Sequence, residues 1–251
     1  MSIDAKIIVV LLGDIENDLL DKGEIKELYP VVLKSNDVVS YIKRKEIYIN
    51  NLNIQVLNIF DFNLEKLKFC SEYIRGYDLA VVLSNIKIKD HEEILLNGIK
   101  EIKGKGKKLV SIVNNRNESF IKNLSKICAV ANIKSSANDF SFLSYVLSKT
   151  IIHSYSNINT EGIIDYYITK TGKEEGIGRG IVNILTEYKN LQYYKRISFS
   201  IMSGNNITIE DEYQVFDVIK EYSRDDAYIN KFIYQDNYFE DNWIISIISI
   251  N

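Results

Sequence analysis

Two kinds of hydrophobic pattern alternate along the first half of the chain. Near-continuous apolar runs rich in β-branched residues occupy 5–12, 79–83 and 109–113, with shorter ones at 31–33, after Pro30, and at 129–133. Runs of this kind predict strands buried on both faces, as in a parallel sheet. Between them lie segments with helical spacing. Leu64, Leu67 and Ile74 share one side of 64–75, and Ile94, Leu95, Gly98, Ile99 and Ile102 share one side of 91–103. Shorter helices are predicted at 15–20, 37–44 and 120–125. The segments 47–49 and 54–59 predict a hairpin, turning at Asn50-Asn51 or at 51–53. This alternation argues for a doubly wound, mostly parallel α/β sheet.

From residue 140 the pattern changes. A long helix is predicted over about 140–155, then a strand at 163–169 and an amphipathic helix from 181 to about 194. In 197–203 the apolar residues Ile197, Phe199 and Ile201 alternate with serines, the period of a strand with one buried face. Thr208 can cap the next helix, with Asp211 three residues on in an acidic first turn. That helix carries an apolar stripe at Tyr213, Phe216, Ile219 and Tyr222. Strands at 227–234 and 243–250 then close the chain as a hairpin across a polar loop. The expected organisation is an α/β domain over 1–139, a connecting helix and loop over 140–162, and a smaller α+β domain with a mixed sheet over 163–251.

Composition narrows the function classes. The 46% apolar and 11% aromatic content is enough for a full core in 251 residues. A net charge of −3 gives no reason to expect nucleic-acid binding. No apolar run reaches about twenty residues, so no transmembrane segment is expected, and the chain reads as cytoplasmic with free thiols at Cys70 and Cys128. Two lone cysteines and two lone histidines, His91 and His153, do not make a metal site. His91 beside Glu92 and Glu93 has no nucleophile with it and reads as a solvated helix start. The basic runs 43–45 and 103–108 read as solvated helix ends.

A set of landmarks in the last third carries more information. Thr171-Gly172 leads to Gly176, then Gly178-Arg179-Gly180, then a helix. Ser203-Gly204 ends a strand before the acidic start Glu210-Asp211-Glu212, and Asp225-Asp226-Ala227 leads into the closing strands. In order and spacing this resembles the C-terminal domain of the tubulin/FtsZ superfamily, FtsZ more than eukaryotic tubulin. Ile177 and Gly178 stand where FtsZ has an acidic pair, and the loop before Ile197 is shorter. The glycines at 172–180 are accordingly read as a strand-to-helix turn rather than a phosphate nest. The resemblance implies a GTP-binding α/β domain joined by a long central helix to an activation domain, with self-assembly into filaments.

The parts that would hold GTP depart from the family. The cradle after strand 79–83 should be glycine-rich, because glycines let successive N–H groups approach an anion ahead of a helix N-terminus. The segment 84–90 is Ser-Asn-Ile-Lys-Ile-Lys-Asp, with no glycine. The turn after the first strand is Gly13-Asp14-Ile15-Glu16, whose acids repel a polyphosphate. Gly13, Ser84 and Asn85 mark the degenerate phosphate-loop positions. The family's acidic loop after the central helix has no room here; Glu161 and Asp165 are the acids nearby and read as ordinary surface residues. No catalytic residue, cofactor or metal is therefore expected. The expected function is a non-enzymatic scaffold or cytoskeleton-associated protein of bacterial cell-division type. Its partner is a protein: an FtsZ/tubulin-type filament or itself, as a homodimer. A divergent polymerising GTPase and a small-molecule sensor using the degenerate crevice stay open. The aromatic set Tyr228, Phe232, Tyr234, Tyr238, Phe239 and Trp243 is expected to divide between core and a protein-contact patch.

Overall fold

The computed structural model describes residues 6–12, 24–35, 38–49, 52–59, 64–86, 89–103, 108–135, 137–154, 156 and 158–250. The chain divides into two compact units, 1–145 with 159–163, and 146–158 with 164–251.

The first unit is built on one sheet. Its strands are β1 (Ile7–Leu12), β2 (Glu24–Ser35), β3 (Val38–Ile49), β4 (Leu52–Ile59), β5 (Leu79–Asn85), β6 (Lys108–Asn114), β7 (Ala129–Asn132) and β8 (Gly162–Ile163). Their order is β2-β3-β4-β1-β5-β6-β7-β8. The six strands from β4 to β8 run parallel, and β2 and β3 extend the β4 edge antiparallel. Every residue of β1 is buried, as its unbroken apolar run requires. On one face Ile8, Val10, Leu12, Val82 and Val113 share a core with residues of α1 (Leu64–Tyr73), α2 (Lys89–Lys103) and α3 (Glu118–Ser125).

The expected hairpin at 47–59 is present, with Ile49 opposite Leu52. The helix expected at 37–44 is not: from Val38 onward this stretch is β3, paired with β2 on one side and β4 on the other. Spacing of Val38, Val39 and Ile42 imitates a helix face, but β-branched residues with a ladder available on both sides settle as strand. The basic residues Lys43, Arg44 and Lys45 thus lie within a strand rather than at a helix end. The helix expected at 15–20 falls outside the described residues.

Helix α4 (Ala137–His153) begins in the first unit and ends in the second. The second unit has strands β9 (Asp165–Thr171), β10 (Arg196–Ser203), β11 (Tyr228–Gln235) and β12 (Trp243–Ile250) in the order β11-β10-β12-β9. β10 pairs parallel with β11 and antiparallel with β12. The two closing strands are therefore not a hairpin: β10 lies between them. α5 (Gly176–Glu187) and α6 (Ile209–Tyr222) cover one face, burying Ile197, Phe199, Ile201, Ile245 and Ile247.

The other face of β10 was expected to meet solvent, yet Ser198, Ser200 and Met202 are buried. The last turns of α4 lie on it. Thr150 Oγ1 is 2.7 Å from Ser200 Oγ and donates to Ser246 Oγ at 3.0 Å. Small hydroxyl side chains let the helix approach the sheet and give its own threonine partners.

α5 starts at Gly176, five residues before its expected start, so Gly178 and Gly180 lie inside the helix and not in a turn. Gly176 has φ +60°, which a side chain would resist, and Thr171 Oγ1 donates to its carbonyl at 2.9 Å. Thr208 caps α6 as expected: its side chain accepts from Asp211 N–H, and the Asp211 carboxylate accepts from Thr208 N–H at 2.9 Å. The buried face of α6 is Val215 and Ile219; Tyr213 and Tyr222 are exposed.

Candidate functional site

In an open parallel sheet the ligand-binding edge is the carboxyl end of the strands. Here that edge is described at the ends of β5, β6 and β7. Ser84 aligns with Leu12 and Val113, both in the helix-covered core, so its side chain turns into that core. Its hydroxyl is buried and has no hydrogen-bond partner among the described residues. Asn85, half-buried, turns to the opposite face beside Asn114. Ile86 follows with its side chain buried in the same core. Positive φ occurs at neither Ser84, Asn85 nor Ile86. A loop that anchors a branched side chain in the core cannot also present a row of free N–H groups to an anion. Gly13 lies outside the described residues.

Behind this loop the first turn of α2 carries Asp90 and Glu92. These carboxylates take the favourable position at the positive end of the helix that a phosphate would need. Glu92 is held there by two amides. Asn115 Nδ2 donates to its Oε1 at 2.9 Å, and Asn117 Nδ2 to its Oε2 at 2.8 Å. Asn115 is buried, and its Oδ1 accepts from Asn117 N–H at 2.6 Å. Asn132, at the end of β7, accepts from Asn115 N–H at 3.1 Å and donates to the Asn115 carbonyl at 3.0 Å. Asn114 Nδ2 donates to the Ser135 carbonyl at 3.0 Å. Asn117 also caps α3, its Oδ1 accepting from Ser119 and Phe120 N–H. This asparagine lattice was missed in the sequence, where 114–117 carries no reading of its own between the strand at 109–113 and the helix at 120–125. The alternation of Asn at 114, 115 and 117 at a strand end was the available signal.

The other candidates are engaged structurally. Glu161 pairs with Lys103 at 3.8 Å, and Lys103 also donates to the Thr160 carbonyl at 2.8 Å. Asp165 accepts from the Tyr194 hydroxyl, and partial burial raises its pKa above the ordinary carboxylate value. His91 lies half-exposed in the first turn of α2. Cys70 and Cys128 are buried, and burial pushes both thiols up to about 12, so neither is a reactive thiolate. Among the described residues no group of His, Cys, Asp and Glu could hold a metal ion, and no helix is long and apolar enough to cross a membrane.

A second polar cluster lies in the second unit. Lys149 of α4 donates to Asp236 Oδ2 at 2.5 Å, both side chains nearly buried. Its Nζ is 5.6 Å from the Tyr234 ring centre and 6.0 Å from that of Phe239. His153, one turn on, meets the Tyr234 ring edge-on at 4.7 Å and the Phe232 ring at 5.4 Å. Of the aromatic set, Tyr234 and Phe239 are core, Phe232 and Trp243 half-buried, and Tyr228 exposed.

Neither a protein-family model nor a curated protein matches the sequence. Solved structures do match. An empty dimer of FtsZ from M. jannaschii superposes with a TM-score of 0.61 at 10% identity, over 100% of this chain and 89% of that one. A mutant of the same FtsZ gives a TM-score of 0.59 at 10% identity, over 99% of this chain and 91% of that one. The chain thus shares the FtsZ fold: a mainly parallel α/β sheet, a long helix, and a smaller mixed sheet with its own helices.

Proposed function

We propose that this chain is a non-enzymatic, cytoplasmic protein of FtsZ/tubulin type that has lost GTP binding and works through protein contacts. Its role is that of a scaffold or cytoskeleton-associated factor in bacterial division, with itself or a filament of the same fold as partner. The observation that carries the reading is the strand end at 84–86: Ser84 and Ile86 point into the core where the fold's nucleotide cradle needs glycine backbone. The acidic first turn of α2, already bonded to Asn115 and Asn117, adds like charge at the place of a phosphate.

The test is titration calorimetry and thermal melting with GTP, GDP and ATP, with and without Mg²⁺. No heat of binding and no shift in melting temperature are expected. A ligand at a hundred times its Kd adds about 2.7 kcal/mol of stability. A clear upward shift with GTP overturns the reading in favour of a divergent GTPase. Light scattering and negative-stain microscopy extend the test: long single-file filaments that form only with GTP would do the same.

A further inference from the structure

β11 is an edge of the second sheet; β10 pairs with one side of it, and no described strand pairs with the other. The hydrogen-bond phase fixes which groups face outward. Tyr228 N–H donates to the Lys195 carbonyl and Asp236 N–H to the Ser203 carbonyl, both on the β10 side. The even-numbered residues therefore turn N–H and C=O toward β10, and Ile229, Lys231, Ile233 and Gln235 turn theirs away. The pairing with β10 runs without a bulge from Tyr228 to Gln235, and the strand has no proline.

Natural edges are commonly guarded by a protruding lysine, a bulge or a proline. β11 has one charged residue, Lys231, and it is folded back onto α6. Its ammonium donates to Glu212 and sits 5.4 and 5.5 Å from the ring centres of Tyr213 and Phe216. Among the described residues nothing guards these eight residues of edge.

We propose that a second copy of this chain docks on β11, edge to edge and antiparallel, so that the two four-stranded sheets become one. The backbone selects the register. An antiparallel ladder forms only where outward residues oppose outward residues. The set 229, 231, 233 and 235 maps onto itself about one centre, Phe232. In that register Ile229 opposes Gln235 of the partner subunit, and Lys231 opposes Ile233 of the partner subunit. All outward groups are paired. Centring on Lys231 would set two ammonium-bearing side chains opposite each other, which is unfavourable, and would leave Gln235 unpaired. Centring on Phe232 instead sets two aromatic rings opposite each other at a non-hydrogen-bonded position, a favourable cross-strand pair. The contact is isologous and closes as a two-fold dimer. It deepens the self-association named under the proposed function and needs no nucleotide.

Size-exclusion chromatography with light scattering should give twice the mass of the chain. Ile233→Pro deletes an outward N–H from each copy and spares the ladder to β10. It should weaken association at least about tenfold. A second variant covers the case in which the proline unfolds the strand. Phe232→Cys places two thiols at directly opposite positions, about 4.5 Å apart at Cα, within disulfide range. Copper–phenanthroline oxidation should yield a covalent dimer with Phe232→Cys and none with Asn230→Cys. The native Cys70 and Cys128 are buried and stay silent. Equal cross-linking of both variants, no cross-linking of Phe232→Cys, or a dimer lost on altering β9 instead of β11 would overturn the proposal. A monomer at all concentrations would sink it together with self-association. A dimer that requires GTP would sink the nucleotide-free reading and leave β11 to be judged by its own variants.

Discussion

His153 offers a pH experiment with a calculable size. Its ring lies against Phe232 and Tyr234, one helical turn from Lys149. Burial, and then the neighbouring Lys149 charge, lower its pKa from 6.5 to about 4. A base whose pKa falls on folding binds its proton in the unfolded chain first. Stability is therefore fully present above pH 6.5 and is lost as pH falls through the window down to about 4. The whole gap is worth roughly 3 kcal/mol at 1.36 kcal/mol per pH unit. Between pH 7 and 5, before most carboxylates titrate, His153 should account for roughly 2 kcal/mol of the loss. His153→Phe keeps an aromatic ring in the same place and removes the proton site. Urea unfolding at pH 7, 6 and 5 should show the wild type losing roughly 2 kcal/mol more than the variant over that range. NMR should show the His153 imidazole still neutral at pH 5. Parallel pH profiles for the two proteins, or an imidazolium at His153 at pH 6, would refute the argument.

Three further outcomes follow from the geometry. Gly204→Ala puts a Cβ 2.1 Å from the Glu240 carbonyl oxygen, a backbone atom with little freedom to retreat, and should cost about 3 kcal/mol in denaturant unfolding. Gly76→Ala, with nothing within 4 Å of the new Cβ, should change stability by no more than about 0.5 kcal/mol. Asp236→Asn takes the carboxylate charge away from the buried Lys149 ammonium and should cost about 3–5 kcal/mol, while the double change Lys149→Met with Asp236→Leu should recover most of it, as read by thermal melting of the three proteins.

The parts of the fold that were legible in the sequence are those whose signal is local. The β-branched runs at 7–12 and 79–83 have no other stable use than central parallel strands, and Thr208 with Asp211 forms a cap by chemistry contained in four residues. The misreadings depend on distant partners. Residues 38–44 are a strand because β2 and β4 flank them, a fact absent from their own spacing. The closing strands seemed adjacent because they are adjacent in sequence, but β10 takes the place between them. Ser198 and Ser200 read as a wet face, since nothing in β10 announces that α4 will lie across it. The candidate site divides in the same way: the missing glycines at 84–90 are visible directly, while the asparagine lattice needs β6, β7 and α2 side by side before it exists.

That lattice bears on how the carboxyl edge of the first sheet is held together. Strand ends of a parallel sheet leave backbone groups that need partners, and loops there lack a ladder of their own. Asn132 satisfies both the N–H and the carbonyl of Asn115, and Asn115 in turn accepts from Asn117 and fixes Glu92. The chain thus joins β6, β7, α2 and α3 through its own amides. Such a network is stable only when complete, because each buried member left without a partner costs about 1–3 kcal/mol. Asn115→Ala strips two of these bonds at once, to Glu92 and from Asn117 N–H, but leaves both backbone bonds to Asn132 free to form. The loss should therefore stay near the top of that range for one buried group rather than two. If it is far smaller in chemical unfolding, the amides do not hold this edge, and Ile86 packed in the core must do so alone.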